Sequence, residues 1–209
     1  MAEEQTRSIK TKDYPEVTTI IGEDSGGWSR TKEKPMSLSI ALCRTVKPNE
    51  FAEIATHYEW NTKHPKCDDK ELKFRSSSDA VRKAVLTEIA SLDPEIYIST
   101  DERKGIDTGH PKRYKDLFRK VAEYILNDTE EPDEEFFMDG SSFMKPKSGE
   151  DIVKTAVKIK GIRYHHAESV NELIVQTQDF IAGAANASRK GNDAYIDIIK
   201  GSIIFWRID

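Results

Sequence analysis

The sequence is poor in cysteine and contains no long apolar run, and each shortage excludes a class of protein. Its 209 residues include only two cysteines, Cys43 and Cys67, and neither lies in a Cys-x-x-Cys pair. A disulfide framework or a structural zinc site is therefore not expected, and a reducing compartment fits best. No apolar run approaches the roughly 18–20 residues that span a bilayer, and the charged start lacks the apolar segment of a signal peptide. We expect a soluble, cytoplasmic protein with no membrane partner.

Several catalytic signatures are also missing. The segment Ser25-Gly26-Gly27 is not followed by the Gly-Lys-Ser or Gly-Lys-Thr of a phosphate loop. No Gly-x-Ser-x-Gly turn appears, which argues against a serine hydrolase. His57, His64 and His110 do not have the spacing of metal ligands.

Charge is negative overall but segregated along the chain. The formal net charge is −5, which argues against attachment to nucleic acid through bulk charge alone. Residues 123–139 contain eight acids and no base, whereas residues 140–166 contain six bases and two acids. These runs are either solvated helix faces or a basic wall beside an acidic pocket.

Length and hydrophobic pattern predict one α/β domain. A chain of 209 residues, 37% of them hydrophobic, can bury one sizeable core. We predict a disordered tail over 1–15 and a single domain over 16–209. Residues 17–21 and 36–44 predict a hairpin, with Gly22 ending its first strand and a turn or loop following at 23–27. Later strands are predicted at 96–99, 136–138, 162–166 and 202–208, and helices near 51–58, 81–92, 114–125, 152–157 and 170–188. This order predicts a mixed β-sheet with N-terminal hairpin strands followed by alternating helices and strands.

Three acids occur at positions where chemistry is often found. Asp24 follows the first predicted strand, Asp139 ends a short apolar strand, and Asp179 lies in the last long helix. Ligand sites of α/β sheets gather at the carboxyl ends of strands. Convergent carboxylates suit hard divalent cations, and two such ions about 3.5–4 Å apart can drive phosphodiester hydrolysis.

The late helix has one broad apolar face and one polar stripe. At 100° per residue, Glu172 and Gln176 fall on the same side as Asp179, bordered by Ala182 and Gly183. The stripe is either a solvated helix face or one wall of a site, where the small residues would let another segment or a substrate approach closely.

Two further segments are weaker candidates. Glu71-Leu72-Lys73-Phe74 could bring a carboxylate and an amine to a phosphate, although exposed loop residues of this kind usually have no function. His165 and His166 end a predicted strand, so at most one of them points into a site. Either histidine could equally be structural.

Four stretches together resemble the bacterial and archaeal family catalogued as domain of unknown function 3800. That family has an Asp-Glu-Ser-Gly motif after its first strand, a Lys-Phe element before the first long helix, a strand ending in Asp-Gly, and a late Ser followed by Gln-x-x-Asp and Ile-Ala-Gly. The corresponding stretches here are Glu23-Asp24-Ser25-Gly26, Glu71-Leu72-Lys73-Phe74, Phe137-Met138-Asp139-Gly140, and Ser169 with Gln176-Thr177-Gln178-Asp179 and Ile181-Ala182-Gly183. The resemblance spans residues 18–187, with the two acids of the first motif exchanged.

The resemblance implies a ribonuclease-H-like fold and a metal-dependent nuclease acting on RNA or DNA. Carried over residue by residue, it makes Glu23 or Asp24, Asp139 and Asp179 the ligands of Mg²⁺ or Mn²⁺. It makes Lys73, Gln176 and Ser25 the substrate-side contacts. The alternative is a non-catalytic module on the same fold that binds nucleic acid or protein.

Overall fold

The computed structural model describes most of the predicted domain as a six-stranded mixed sheet with helices on both faces. The described residues are 14, 18–26, 36–58, 72–103, 110–127, 135–139, 147–151, 163–167 and 172–208. The strands are β1 (Thr18–Gly26), β2 (Met36–Thr45), β3 (Glu95–Arg103), β4 (Glu135–Asp139), β5 (Arg163–Ala167) and β6 (Ile203–Ile208), in the sheet order β5-β4-β1-β2-β3-β6.

The sheet combines antiparallel and parallel pairs. β1, β2 and β3 form an antiparallel meander. β4 runs parallel to β1 and β5 runs parallel to β4, while β6 runs parallel to β3 at the other edge. The prediction of a mixed sheet with an N-terminal hairpin is therefore confirmed, and β1 lies at the point where the antiparallel meander meets the parallel strands.

The predicted end of the first strand is wrong. β1 does not stop at Gly22 but continues to Gly26, so the predicted turn at 23–27 belongs largely to the strand. The reason is the partner strand: pairing with β2 is unbroken from Thr18 opposite Thr45 to Gly26 opposite Ser37. Hydrogen bonds to a long partner outweigh the local turn preference of two glycines and a serine.

The helices agree closely with the hydrophobic pattern. They are α1 (Pro48–His57), α2 (Asp79–Ser91), α3 (His110–Asn127), α4 (Leu173–Arg189) and the short α5 (Ile196–Ile199), with a 3₁₀ turn at Lys200–Ser202. Ser78 caps α2, because its hydroxyl accepts a hydrogen bond from the Val81 N–H at 3.3 Å. Residues 147–151 are helical, and the helix predicted near 152–157 lies outside the described residues.

The two faces of the sheet carry different helices. Ile96 and Ile98 of β3 join the main core with α1, α2 and α4. Tyr97, between them, faces the other way and contacts Tyr124 of α3 with ring centroids 5.9 Å apart. The alternation of side chains along a strand thus separates an α4 face from an α3 face.

The α4 helix is the central helix of the fold, and most of its polar stripe is buried rather than solvated. Its residues 174–178 and 180–186 are all buried, including the polar Gln176, Gln178 and Asn186. The helix packs on β1 and β2 and is covered by α1 and α2. Thr177 donates a hydrogen bond to the Phe51 carbonyl of α1 at 3.0 Å, which ties these helices together.

One residue of the predicted tail is anchored to the domain. Tyr14 packs edge-on against Phe137 at 5.3 Å, and its hydroxyl donates to Glu172 at 2.9 Å. The rest of the predicted tail lies outside the described residues. Among the helices that the structure describes, none is both long and apolar enough to cross a membrane.

Candidate functional site

One edge of α4 binds the main chain of a distant segment, residues 72–77, which we call the lysine loop. Gln176 Oε1 accepts a hydrogen bond from the Leu72 N–H at 3.0 Å. Asp179 Oδ2 accepts one from the Phe74 N–H at 2.7 Å. Because the two acceptors are three residues apart, they lie on the same side of the helix and hold the main chain on either side of Lys73.

A glycine completes this docking edge one turn later. A Cβ added to Gly183 would lie 2.4 Å from Cγ and 2.5 Å from Cδ1 of the Phe74 ring, so only glycine leaves room for the ring. Phe74 also packs edge-on against Phe180 at 5.8 Å and Tyr195 at 5.2 Å. The late-helix motif and the Lys-Phe element, which are separate in the sequence, therefore form a single structural unit.

The carbonyl groups of the lysine loop are held as well. The Ser77 N–H and hydroxyl both donate to the Lys73 carbonyl, at 3.1 and 2.7 Å. Arg82 of α2 donates from Nε to the Phe74 carbonyl at 2.7 Å and from Nη2 to the Arg75 carbonyl at 3.1 Å. Lys73 is half-buried, on a backbone fixed from both sides.

The other predicted site residues lie on neighbouring strands of the sheet. In the β1–β2 register, Glu23 is opposite Ile40, Asp24 opposite Ser39 and Ser25 opposite Leu38. In β4, Met138 pairs with Ile21 of β1, so the next residue, Asp139, follows at the level of Gly22. The side chains of Glu23, Asp24, Ser25 and Asp139 lie outside the described part of the structure.

A hydrogen bond fixes where α4 crosses these strands. Gln178 Nε2 donates to the Ala41 carbonyl of β2 at 2.8 Å. Ala41 is the register partner of Gly22. Gln178, the residue before Asp179, therefore lies over the part of the sheet where β4 ends at Asp139. Asp24 lies two residues beyond Gly22 along β1.

Two buried polar atoms in this region have no partner among the described residues. They are Ser39 Oγ and Gln178 Oε1, and both residues are fully buried. Ser39 shares the α4 face with Ala41 because residues two apart on a strand point the same way. The Gln178 amide is oriented by its bond to the Ala41 carbonyl, so its oxygen must point elsewhere. A buried acceptor without a partner is rare and is often explained by a bound water or ion.

Of the two histidine candidates on β5, His165 has structural surroundings. The His165 ring stacks on Phe137 at 4.7 Å, and its Nε2 lies 3.1 Å from a Glu135 oxygen. His57 Nδ1 pairs with Glu88 at 2.9 Å. Among the side chains that the structure describes, no group of three or more histidines, cysteines or acids could hold a metal ion.

Arg82 and Gln178 are the polar contacts that sequence reasoning missed. Arg82 lies on the amphipathic α2 and looks like an ordinary surface base. Gln178 belongs to the Gln-x-x-Asp stretch but occupies one of its variable positions. Their partners are Phe74, Arg75, Tyr195 and Ala41, and no local pattern links either residue to all of its partners.

No protein-family model and no curated protein matches the chain. Among solved structures, it is similar to ribonuclease H2 from Pyrococcus horikoshii OT3, with 13% identity and a TM-score of 0.48 over 88% of this chain and 77% of that one. It is also similar to RNase HII from Archaeoglobus fulgidus, solved in complex with PCNA, with 14% identity and a TM-score of 0.48 over 88% and 78% of the two chains. Likenesses at this level define neither a family nor an activity, and membership of the domain-of-unknown-function family stays a prediction.

Proposed function

We propose that the chain is a nuclease of ribonuclease-H-like type that hydrolyses phosphodiester bonds of RNA or DNA with one or two Mg²⁺ or Mn²⁺ ions. The observation that carries the proposal is the crossing of α4 over β1 and β4. It brings the backbone positions of Asp24, Asp139 and Asp179 to one region of the sheet, although they come from widely separated parts of the sequence. Convergent carboxylates are what such ions require.

The topology supports the ribonuclease-H-like part of the proposal. An antiparallel meander begins with β1, and two parallel strands, β4 and β5, extend the sheet beyond it. Folds of that type combine an acid on a central strand, a second near a later strand end and a third from a late helix. Asp24 on β1, Asp139 on β4 and Asp179 on α4 have that distribution.

Of the two adjacent acids on β1, we propose that Asp24 is the ligand. Ala41 belongs to the core on the α4 face, and its register partner is Gly22. Because positions alternate between faces, position 24 belongs to the same face as position 22, and position 23 to the opposite one. Position 23 then belongs to the α3 face, away from Asp179.

The surroundings fit a hydrated divalent cation. Asp179 accepts a main-chain hydrogen bond on Oδ2, and metal-binding carboxylates are commonly oriented by such a bond. Ser39 Oγ and Gln178 Oε1, which have no partner among the described side chains, lie in the same layer between α4 and the sheet, and metal-bound water would satisfy both. When bound, the ions would activate the attacking water and stabilise the leaving oxygen.

The remaining predicted residues have roles on the substrate side. Lys73, on its fixed backbone, would contact a phosphate of the substrate. Gln176 would act through the lysine loop, since its Oε1 holds the Leu72 N–H. Ser25, one residue beyond Asp24 on β1, would contact the substrate at the open end of the strand.

The test is cleavage of RNA, single-stranded DNA and RNA–DNA hybrids in the presence of Mg²⁺ or Mn²⁺. Asp24→Asn, Asp139→Asn and Asp179→Asn should each reduce the rate by more than the roughly 10–100-fold that loss of an outer-shell partner costs. Asparagine at position 179 keeps an oxygen acceptor for the Phe74 N–H, so a loss of rate without unfolding reports chemistry. Asp116→Asn is the control, because Asp116 is half-exposed and pairs with Arg119 on α3. Cleavage that survives Asp139→Asn and Asp179→Asn together would overturn the proposal.

A non-catalytic module that binds nucleic acid or protein is the second candidate. The observation in its favour is that Asp179 and Gln176 already have a structural task, holding the lysine loop. Calorimetry separates the candidates: a protein that binds neither Mg²⁺ nor Mn²⁺ but retains oligonucleotides would support the second.

A further inference from the structure

Arg82 is the residue whose contacts are unusual for a helix-surface base. All three of its guanidinium nitrogens donate hydrogen bonds, and none of the acceptors is a carboxylate: they are the Phe74 carbonyl, the Arg75 carbonyl and, at 3.3 Å, the Tyr195 hydroxyl. The guanidinium carbon also lies 4.7 Å from the centroid of the Phe74 ring and 5.8 Å from that of Tyr195. The planar guanidinium therefore holds a main-chain segment through several hydrogen bonds at once. The single ammonium group of a lysine could not reproduce this geometry.

The position of these Arg82 contacts matters because the two carbonyls that they hold belong to the residues directly after Lys73. The α4 edge holds the N–H groups of Leu72 and Phe74, Ser77 holds the Lys73 carbonyl, and Arg82 holds the next two carbonyls. Each of these contacts is to main chain, so together they fix the backbone on which the Lys73 side chain is carried. Such pre-organisation reduces the ordering that a ligand must impose when it binds.

We propose that Arg82 is a positioning residue that fixes Lys73 for contact with a phosphate of the nucleic-acid backbone. The inference rests on the proposed function, since it takes nucleic acid as the ligand of Lys73. Arg82 itself does not touch the substrate, because its three nitrogens are engaged within the protein. Its loss should therefore weaken binding only through Lys73.

The experiment measures the affinity for a labelled RNA–DNA hybrid oligonucleotide by fluorescence anisotropy in metal-free buffer. Lys73→Gln and Arg82→Gln should each weaken binding roughly fivefold to tenfold, the scale of one charge-assisted contact. Arg82→Gln in the Lys73→Gln background should weaken it no further. Arg82→Lys should fail to restore binding, because it keeps the charge and loses the fork.

Lys83→Gln is the matched control. It removes one positive charge from the next residue of α2, where Lys83 is half-exposed and pairs with Asp79 at 3.0 Å, and it should leave affinity unchanged. Hydrogen exchange at the Phe74 amide should accelerate in Arg82→Gln and Arg82→Lys but not in Lys83→Gln, which reports release of the loop independently of binding.

The outcomes separate the inference from the function it rests on. If the hybrid binds but Arg82→Gln is harmless, or if its effect adds in full to that of Lys73→Gln, the positioning role is overturned and the nuclease proposal stands. Binding that is unaffected by Lys73→Gln overturns it equally. If the wild-type protein neither binds nucleic acid in this buffer nor cleaves it with Mg²⁺ or Mn²⁺, the proposed function fails and the inference falls with it. Cleavage with metal but no binding without it would overturn the positioning role alone, because Lys73 would then supply no measurable phosphate contact.

Discussion

At the scale of single residues, Gly183 shows how the late-helix motif is constrained. Replacing it with alanine would place a methyl group 2.4 Å from the Phe74 ring. Since Phe74 is held by Asp179 and Arg82, the ring cannot simply move away, so Gly183→Ala should reduce the free energy of unfolding by about 1–3 kcal/mol through overpacking. Urea denaturation measures this directly. Gly201→Ala is the control, because a Cβ there meets nothing within 4 Å; equal effects of the two changes would contradict the docking of Phe74 on α4.

The same motif shows what helical spacing can and cannot predict. Gln176 and Asp179 share one side of α4 because of their separation in sequence, and this could be read before the fold was known. Their partners, Leu72 and Phe74, are 104 and 105 residues away. No periodicity within the helix carries that information, so spacing alone left open whether the stripe is a solvated face or one wall of a site.

At the scale of elements, β1 and α4 each differ from their local pattern because of what packs against them. Gly22 predicts the end of the first strand and Gly26 with Gly27 predicts a turn, but a ten-residue β2 gives β1 a partner along its whole length. Gln176, Gln178 and Asn186 of α4 are buried because the sheet, the helices and the lysine loop surround this helix. Strand and helix types were predictable from periodicity, whereas lengths and burial depended on tertiary partners.

The two faces of the sheet offer a matched pair of serines for testing the metal site. Ser39 and Ser99 are both fully buried with hydroxyls that have no partner among the described residues. Ser39 shares the α4 face, whereas Ser99 pairs with Ile40 on the α3 face. If metal-bound water satisfies Ser39, then Ser39→Ala should weaken Mn²⁺ binding roughly tenfold, at the lower end of outer-shell effects, and Ser99→Ala should leave it unchanged. Calorimetry on the metal-free protein gives both affinities, and equal affinities for both variants would remove Ser39 from the site.

At the scale of the whole molecule, the sheet order brings together residues that the chain keeps far apart. The acids of β1 and β4 become neighbours because β4 returns to pair with β1 after the meander has been completed. The sequence indicates that each acid lies at or near a strand end, and a mixed sheet follows from the order of elements. Which strands are adjacent depends on the crossover connections, and composition and periodicity do not encode those.

Two half-buried tyrosines, Tyr14 and Tyr164 of β5, make the stability of the domain sensitive to alkaline pH. Burial raises the pKa of Tyr14 well above its usual range, and the Glu172 carboxylate, which is negatively charged and accepts the hydrogen bond of the hydroxyl, raises it further. Burial likewise raises the pKa of Tyr164, with the charge of Glu150 adding to the effect. In the unfolded chain both would ionise near pH 10, while in the folded chain both keep their protons.

The unfolded state therefore binds fewer protons than the folded state once the pH exceeds about 10, and stability must fall as the pH rises further. Below that pH both states hold the protons and these two groups contribute no pH dependence. At neutral pH these tyrosines should therefore cause no change of the urea denaturation midpoint with pH. Above about pH 10 the midpoint should decline. Tyr14→Phe and Tyr164→Phe should each make the decline shallower, even though Tyr14→Phe loses its hydrogen bond to Glu172 at every pH. A decline as steep in both variants as in the wild-type protein would show that neither hydroxyl is held protonated by the fold.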